Sequence, residues 1–128
     1  MENKLKELLN NSYSPYSNFK VAAILETKDG KEFNGVNVEN SSYGASICAE
    51  RSAIVSSISA GYKKGDFKRL NIMVNSEKIS FPCNICRQSF VEFFENGMEV
   101  VCYNILGNKK ILKVSDLCTY SFSSEDLK

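Results

Sequence analysis

Apolar residues recur along this chain at two spacings, and each spacing predicts its own kind of element. Leu5, Leu8 and Leu9 share one face of residues 3–10, the pattern of a short amphipathic helix. Residues 20–27 and 31–39 read as strands joined by a turn at Lys28-Asp29-Gly30, a hairpin. Residues 48–60 place Ala49, Ala53, Ile54 and Ile58 at helical spacing, with Gly61 at the stop position. Residues 70–74 form a third strand. Residues 83–96 form a second main helix, with Phe90, Val91, Phe93 and Phe94 turned inward and Gly97 ending it. Residues 99–105 and 109–114 are two strands joined through Leu106-Gly107-Asn108, and a helical turn over 115–120 precedes a polar tail. The order α-β-β-α-β-α-β-β with a short closing helix predicts an α/β fold: a three-layer α/β/α sandwich on a five-stranded mixed sheet, one domain over 1–128.

Composition narrows the function classes. The 128 residues are 43% hydrophobic and 24% charged, enough to fill one core. Sixteen Lys+Arg against fifteen Asp+Glu leave a net charge of +1. That balance lacks the basic footprint of a nucleic-acid binder and gives no strong pull toward an anionic membrane. The basic pairs Lys63-Lys64, Lys68-Arg69 and Lys109-Lys110 read as solvated surface. No apolar run reaches the length of a membrane span, and Met1 to Asn11 has no signal-peptide pattern, so a cytoplasmic location is expected.

The five cysteines then call for a metal or catalytic reading before a disulfide one. There is no histidine, which removes Ser-His and Cys-His nucleophiles and imidazole metal sites. Cys83 and Cys86 form C-x-x-C at the start of the second main helix, and Cys48 opens the first. Three thiolates on zinc leave one open tetrahedral position, the catalytic arrangement. Their excess negative charge is offset by helix N-termini and by Arg51, one turn from Cys48. Glu50 lies two residues after Cys48 and can reach toward the metal without ligating it, the place for a general acid/base. Two other readings stand beside this one: a closed structural site with Cys102 or Cys118 as fourth ligand, and a redox C-x-x-C. Asn37 and Glu39, two apart on the second strand, face one side.

Cys48-Ala49-Glu50-Arg51 followed by Pro82-Cys83-Asn84-Ile85-Cys86-Arg87-Gln88 resembles the zinc-dependent cytidine deaminases, in their small homotetrameric, three-cysteine form. Tyr16-Ser17-Asn18-Phe19, Asn37-Val38-Glu39-Asn40 and the stretch from Phe122 to Leu127 extend the likeness along nearly the whole chain. The resemblance implies hydrolytic deamination of cytidine and 2′-deoxycytidine in pyrimidine salvage, by a hydroxide on zinc, with about one zinc per chain. It implies that Cys48, Cys83 and Cys86 bind zinc and that Glu50 shuttles the proton. The Ala49 N–H would hold the ring O2, and the Phe81 and Cys83 carbonyls would face the leaving amine. Asn37 and Glu39 would bind the ribose 3′-hydroxyl, with Phe19 and Tyr43 beside the base and sugar. Phe122 would reach the site of a neighbouring subunit in a tetramer with shared active sites. The sequence departs from the family pattern at Ala22, Phe81, Asn84-Ile85 and Leu117-Cys118-Thr119, where a glycine, a serine, Gly-Ala and a proline are usual. The same scaffold also suits another aminated pyrimidine, free cytosine or a blasticidin-like nucleoside, although Asn37 and Glu39 favour a substrate that carries ribose.

Overall fold

A computed structural model describes residues 1–128. Its elements are α1 (Glu2–Leu9), β1 (Val21–Thr27), β2 (Glu32–Val36), α2 (Ala49–Ser59), β3 (Phe67–Val74), α3 (Asn84–Phe93), β4 (Glu99–Tyr103), β5 (Lys109–Lys113) and α4 (Val114–Leu117), with 3-10 turns at Tyr43–Ala45 and Ser124–Leu127. The sheet runs β2-β1-β3-β4-β5. Only β3 and β4 are parallel; the other neighbours are antiparallel. The parallel pair is the one that α3 bridges, because two parallel strands need a crossover rather than a tight turn.

The period of two along each strand builds the three layers. Ala22 and Ile24 of β1, Met73 of β3 and Val101 of β4 pack on one face, where Leu5 and Leu9 of α1 cover them. Ala23, Leu25, Leu70, Ile72, Val100 and Cys102 point the other way, onto α2, α3 and α4. Phe90 and Phe94 anchor that second layer, stacked with centroids 5.2 Å apart, and Phe67 meets Phe94 edge-on at 5.5 Å. The α/β/α sandwich on a mixed sheet is therefore the observed architecture.

One glycine sets how closely α2 can lie on the sheet. A Cβ at Gly35 would overlap the Ala49 carbonyl oxygen and sit 2.5 Å from the Ala53 nitrogen. The start of α2 is thus pressed against β2 by the missing side chain, and Cys48 and Glu50 ride on that start. Gly61 ends α2 with φ +96°, a left-handed conformation that a side chain would oppose.

Several boundaries differ from the sequence reading. The second strand of the hairpin stops at Val36 rather than 39, so Asn37 and Glu39 lie beyond it and not on it. There the Asn37 side chain accepts from the Val21 amide at 2.9 Å, and Val38 bridges Tyr13 and Ile47 instead of β1. α3 stops at Phe93 rather than 96, because Phe94 turns extended (φ −115°, ψ 146°) to bury its ring. Phe90 and Phe94 point inward, whereas Val91 and Phe93 are only half-buried. β3 begins at Phe67, whose buried ring draws the strand start forward from residue 70. The closing helix is Val114–Leu117 rather than 115–120, and the polar tail holds a 3-10 turn capped by Ser123. Arg69 is no free surface cation: it pairs with Glu26 at 3.2 Å and Glu99 at 3.5 Å.

Candidate metal centre and substrate pocket

Cys48 and Cys83 are the N-cap residues of α2 and α3, and neither gives its side chain to the helix it opens. Both sulfurs are left to face outward at the two helix N-termini, where unpaired amides present partial positive charge. Cys86 follows one turn into α3, fully buried. The three Sγ atoms all lie within 4.8 Å of one another, and Cys48 to Cys83 is 3.7 Å. Sulfurs bound to one tetrahedral zinc at about 2.3 Å stand about 3.8 Å apart. The donor set therefore fits zinc in both chemistry and spacing.

The fourth-ligand readings do not hold. Cys102 is buried on β4, outside the sulfur cluster, and burial pushes its thiol up to about 12. Cys118 donates its S–H to the Arg87 carbonyl at 3.4 Å instead. The open side of the cluster faces a cavity of about 370 Å³, within the range of small-molecule sites.

Charge in the cluster is handled locally. Arg51 Nη2 stands 4.0 Å from Cys48 Sγ, while its buried Nε has no hydrogen-bond partner. The Cys48 thiol is drawn down to about 5, chiefly by the neighbouring Cys86 thiol and then, against burial, by Arg51. Cys86 is pushed up, by the neighbouring Cys48 first and then by burial. Glu50 is 5% exposed on the cavity wall. Burial foremost, and then the charge of Cys48, pushes its carboxyl up to about 7. A carboxyl poised there can both accept and return a proton near neutral pH.

The cavity gathers most of the remaining sequence candidates. Phe19, Asn37, Glu39, Tyr43, Ala49 and Phe81 line it. The Ala49 amide, first in α2, has no partner in the fold and is free to bind a ligand oxygen. The Phe81 carbonyl accepts no hydrogen bond, whereas the Cys83 carbonyl already takes the Arg87 amide at 3.0 Å. Asn37 is employed by the fold: it accepts from Ser12 Oγ at 2.5 Å and donates to the Phe19 carbonyl at 2.7 Å. Glu39 accepts from the amides of Tyr16 and Ser17 at 3.0 and 3.2 Å and from Ser17 Oγ. The Ser17 hydroxyl, most of all, holds its carboxyl below the usual range. Tyr43 is 81% exposed at the cavity rim. Phe122 is 57% exposed and does not line this cavity; its carbonyl is tied to Gln88.

Comparison with known proteins gives this constellation a context. The model of the cytidine and deoxycytidylate deaminase zinc-binding region matches residues 1–104. The chain belongs to the cytidine and deoxycytidylate deaminase family. Family relatives include a cytidine deaminase of Sporosarcina psychrophila, 38% identical over 95% of this chain and 88% of its own length. A probable cytidine deaminase of Dictyostelium discoideum is 44% identical over 91% of this chain and 77% of its length. The crystal structure of cytidine deaminase from Burkholderia pseudomallei superposes with a TM-score of 0.89 at 41% identity, covering 94% of both chains. Zinc is the metal of this family's matched region, and Cys48, Cys83 and Cys86 are the cluster here that fits it.

Some residues that shape the site escaped the sequence reading. Ser12 and Ser17, which fix Asn37 and Glu39, carry no signal in a polar stretch, although Ser17 lies inside the Tyr16–Phe19 motif. Ile85, 63% exposed on the cavity rim, was visible only as a departure from the family pattern.

Proposed function

We propose that this protein hydrolyses cytidine and 2′-deoxycytidine to uridine and 2′-deoxyuridine with release of ammonia. The observation that carries the reading is Glu50, a buried carboxyl beside three convergent thiols on the wall of one cavity. Zinc among the thiolates supplies a Lewis acid that lowers the pKa of water to roughly 7. Cys48, Cys83 and Cys86 hold the ion; Arg51 offsets their charge. Glu50 takes one proton from the attacking water and delivers it to ring N3, then takes the second from the oxygen now on C4 and passes it to the amino group, so that the C4–N bond breaks and ammonia leaves. The Ala49 amide binds the ring O2, and Phe19 and Tyr43 pack beside the base and sugar. Asn37, through the Nδ2 hydrogen it does not give to the Phe19 carbonyl, and Glu39 take the ribose hydroxyls, adding binding energy remote from C4 that orients the ring. That ribose end of the cavity favours nucleosides over free cytosine.

The whole chain, residues 1–128, acts as one domain. We place it in the cytoplasm, where thiols stay reduced, in salvage of pyrimidine nucleosides, without nucleic-acid or membrane partners. It assembles as a homotetramer in which Phe122 completes a neighbouring site. The exposed apolar side chains of Val55, Ile58, Phe81, Ile85 and Phe122 support assembly. The test follows the loss of ultraviolet absorbance with cytidine, deoxycytidine, cytosine and a blasticidin-like nucleoside in parallel, for wild type and Glu50→Gln. Turnover of the first two, lost about 10²- to 10⁴-fold in the variant, supports the proposal. Turnover confined to cytosine or to the antibiotic-like nucleoside, or undiminished in Glu50→Gln, refutes it.

A further inference from the structure

Arg87 lies one residue beyond Cys86 and does not line the cavity. It nevertheless fastens the loop that carries Cys83. Residues 79–82, which lead into that ligand, make no backbone–backbone hydrogen bond. The one hydrogen bond that reaches them comes from Arg87 Nε, which donates to the Pro82 carbonyl at 2.8 Å. The same guanidinium sends Nη1 to the Leu117 carbonyl at 3.2 Å. Two more bonds draw the following segment onto α3: Cys118 Sγ donates to the Arg87 carbonyl at 3.4 Å, and Gln88 Nε2 donates to the Phe122 carbonyl at 2.8 Å. Residues 117–122 therefore form a strap across the first turns of α3, held by the consecutive side chains of Arg87 and Gln88 and by the strap's own Cys118 thiol.

We propose that Arg87 is a positioning residue for the metal centre. It ties the Pro82–Cys83 peptide to the strap, so the seated strap keeps Cys83 in ligating register with Cys48 and Cys86. The planar fork of arginine joins two carbonyls at fixed angles; a lysine ammonium on a flexible stem does not. Groups that orient metal ligands typically change metal affinity by about 10- to 100-fold when removed. Zinc retention thereby becomes sensitive to whatever lifts the strap, including loss of the contact that seats Phe122. This inference rests on the zinc reading of the three cysteines.

The test measures zinc release from the loaded, full-length protein into a chromogenic chelator, without substrate. Arg87→Lys is expected to release zinc about tenfold faster than wild type, and Gln88→Leu, which frees the far end of the strap, by a smaller factor. Leu117→Val serves as the contrast: it loosens packing in the same corner but leaves every Arg87 bond in place. It is expected to lower the thermal midpoint while releasing zinc at the wild-type rate. Release from Arg87→Lys at the wild-type rate overturns the inference, as does equal acceleration by Leu117→Val. Wild-type release from Gln88→Leu overturns the role of the strap. A wild-type protein that retains no zinc would sink the metal reading itself, a separate and distinguishable failure.

Discussion

Glu50→Gln should stabilise the metal-free protein, and only above a certain pH. The unfolded chain releases the Glu50 proton near the ordinary value of 4.5, whereas in the fold, burial foremost pushes the group up to about 7. Between those values the folded state binds more protons than the unfolded state, so stability falls as pH rises through the window. Each tenfold change in proton affinity is worth about 1.4 kcal/mol. The distance from 4.5 to about 7 therefore costs the fold about 3 kcal/mol once pH exceeds the upper value. Below 4.5 the carboxyl is protonated in both states and the cost vanishes. Glutamine mimics the protonated acid at every pH and escapes the penalty.

With unfolding entropies near 2.1 cal/mol/K per residue, about 3 kcal/mol in a chain of 128 residues moves the midpoint by about 10 °C. The measurement is thermal unfolding of chelator-stripped wild type and Glu50→Gln at pH 4 and pH 8. The variant should gain about 10 °C at pH 8 and almost nothing at pH 4. A gain equal at both values would mean the glutamine simply packs better. No gain at pH 8 would mean that Glu50 is not held in a medium hostile to charge, and its role as a proton relay would lose its physical basis.

The other predictions concern the site's supports. Cys83→Ser should reduce bound zinc from about one per chain to a small fraction, read by elemental analysis after gel filtration; full retention would contradict the ligand set. Gly35→Ala should destabilise by about 1–3 kcal/mol in urea titration, because the added methyl meets the Ala49 carbonyl and the Ala53 nitrogen; an unchanged midpoint would show that α2 is not pressed on β2. Glu39→Ala should weaken turnover of cytidine far more than turnover of cytosine, and equal losses would remove the ribose contact.

The chemistry was easier to read in the sequence than its supports. Few residue types can ligate zinc, and without histidine the choice among Cys48, Cys83 and Cys86 is narrow. Glu50 gains meaning only from its place beside Cys48. The layers were legible too, because helices alternate with strands after residue 40 and so must cover a mixed sheet. Asn37 shows the limit. Its residue type and spacing suggest a ligand contact, but they do not show that Ser12 and the Val21 amide fix its carbonyl oxygen, partners that no local pattern reveals. Arg87 shows the same limit from the other side: one side chain binds Pro82 and Leu117, which only the fold brings together. Long-range polar pairing is a property of the tertiary structure, and a single sequence carries no period that encodes it.

The centre also shows why the core must be well packed. A helix that starts at Ser, Thr, Asp or Asn gains about 1 kcal/mol from its side-chain cap. α2 and α3 start at Cys48 and Cys83 and forgo that cap, so both sulfurs remain available. Glu50 adds the larger cost of a buried acid at neutral pH. Arg51 leaves its Nε buried without a partner so that its other end can face Cys48. All four departures fall within α2, α3 and the residues that open them, and all serve the same few ångströms of space. A bound ion would reverse much of this cost by drawing the sulfurs together, since binding to the folded state alone stabilises it by mass action. The fold and the metal are therefore coupled. Glu50→Gln should keep its stability advantage over wild type once zinc is restored, because three thiolates around one zinc leave a net negative centre that does not favour ionisation of the Glu50 carboxyl.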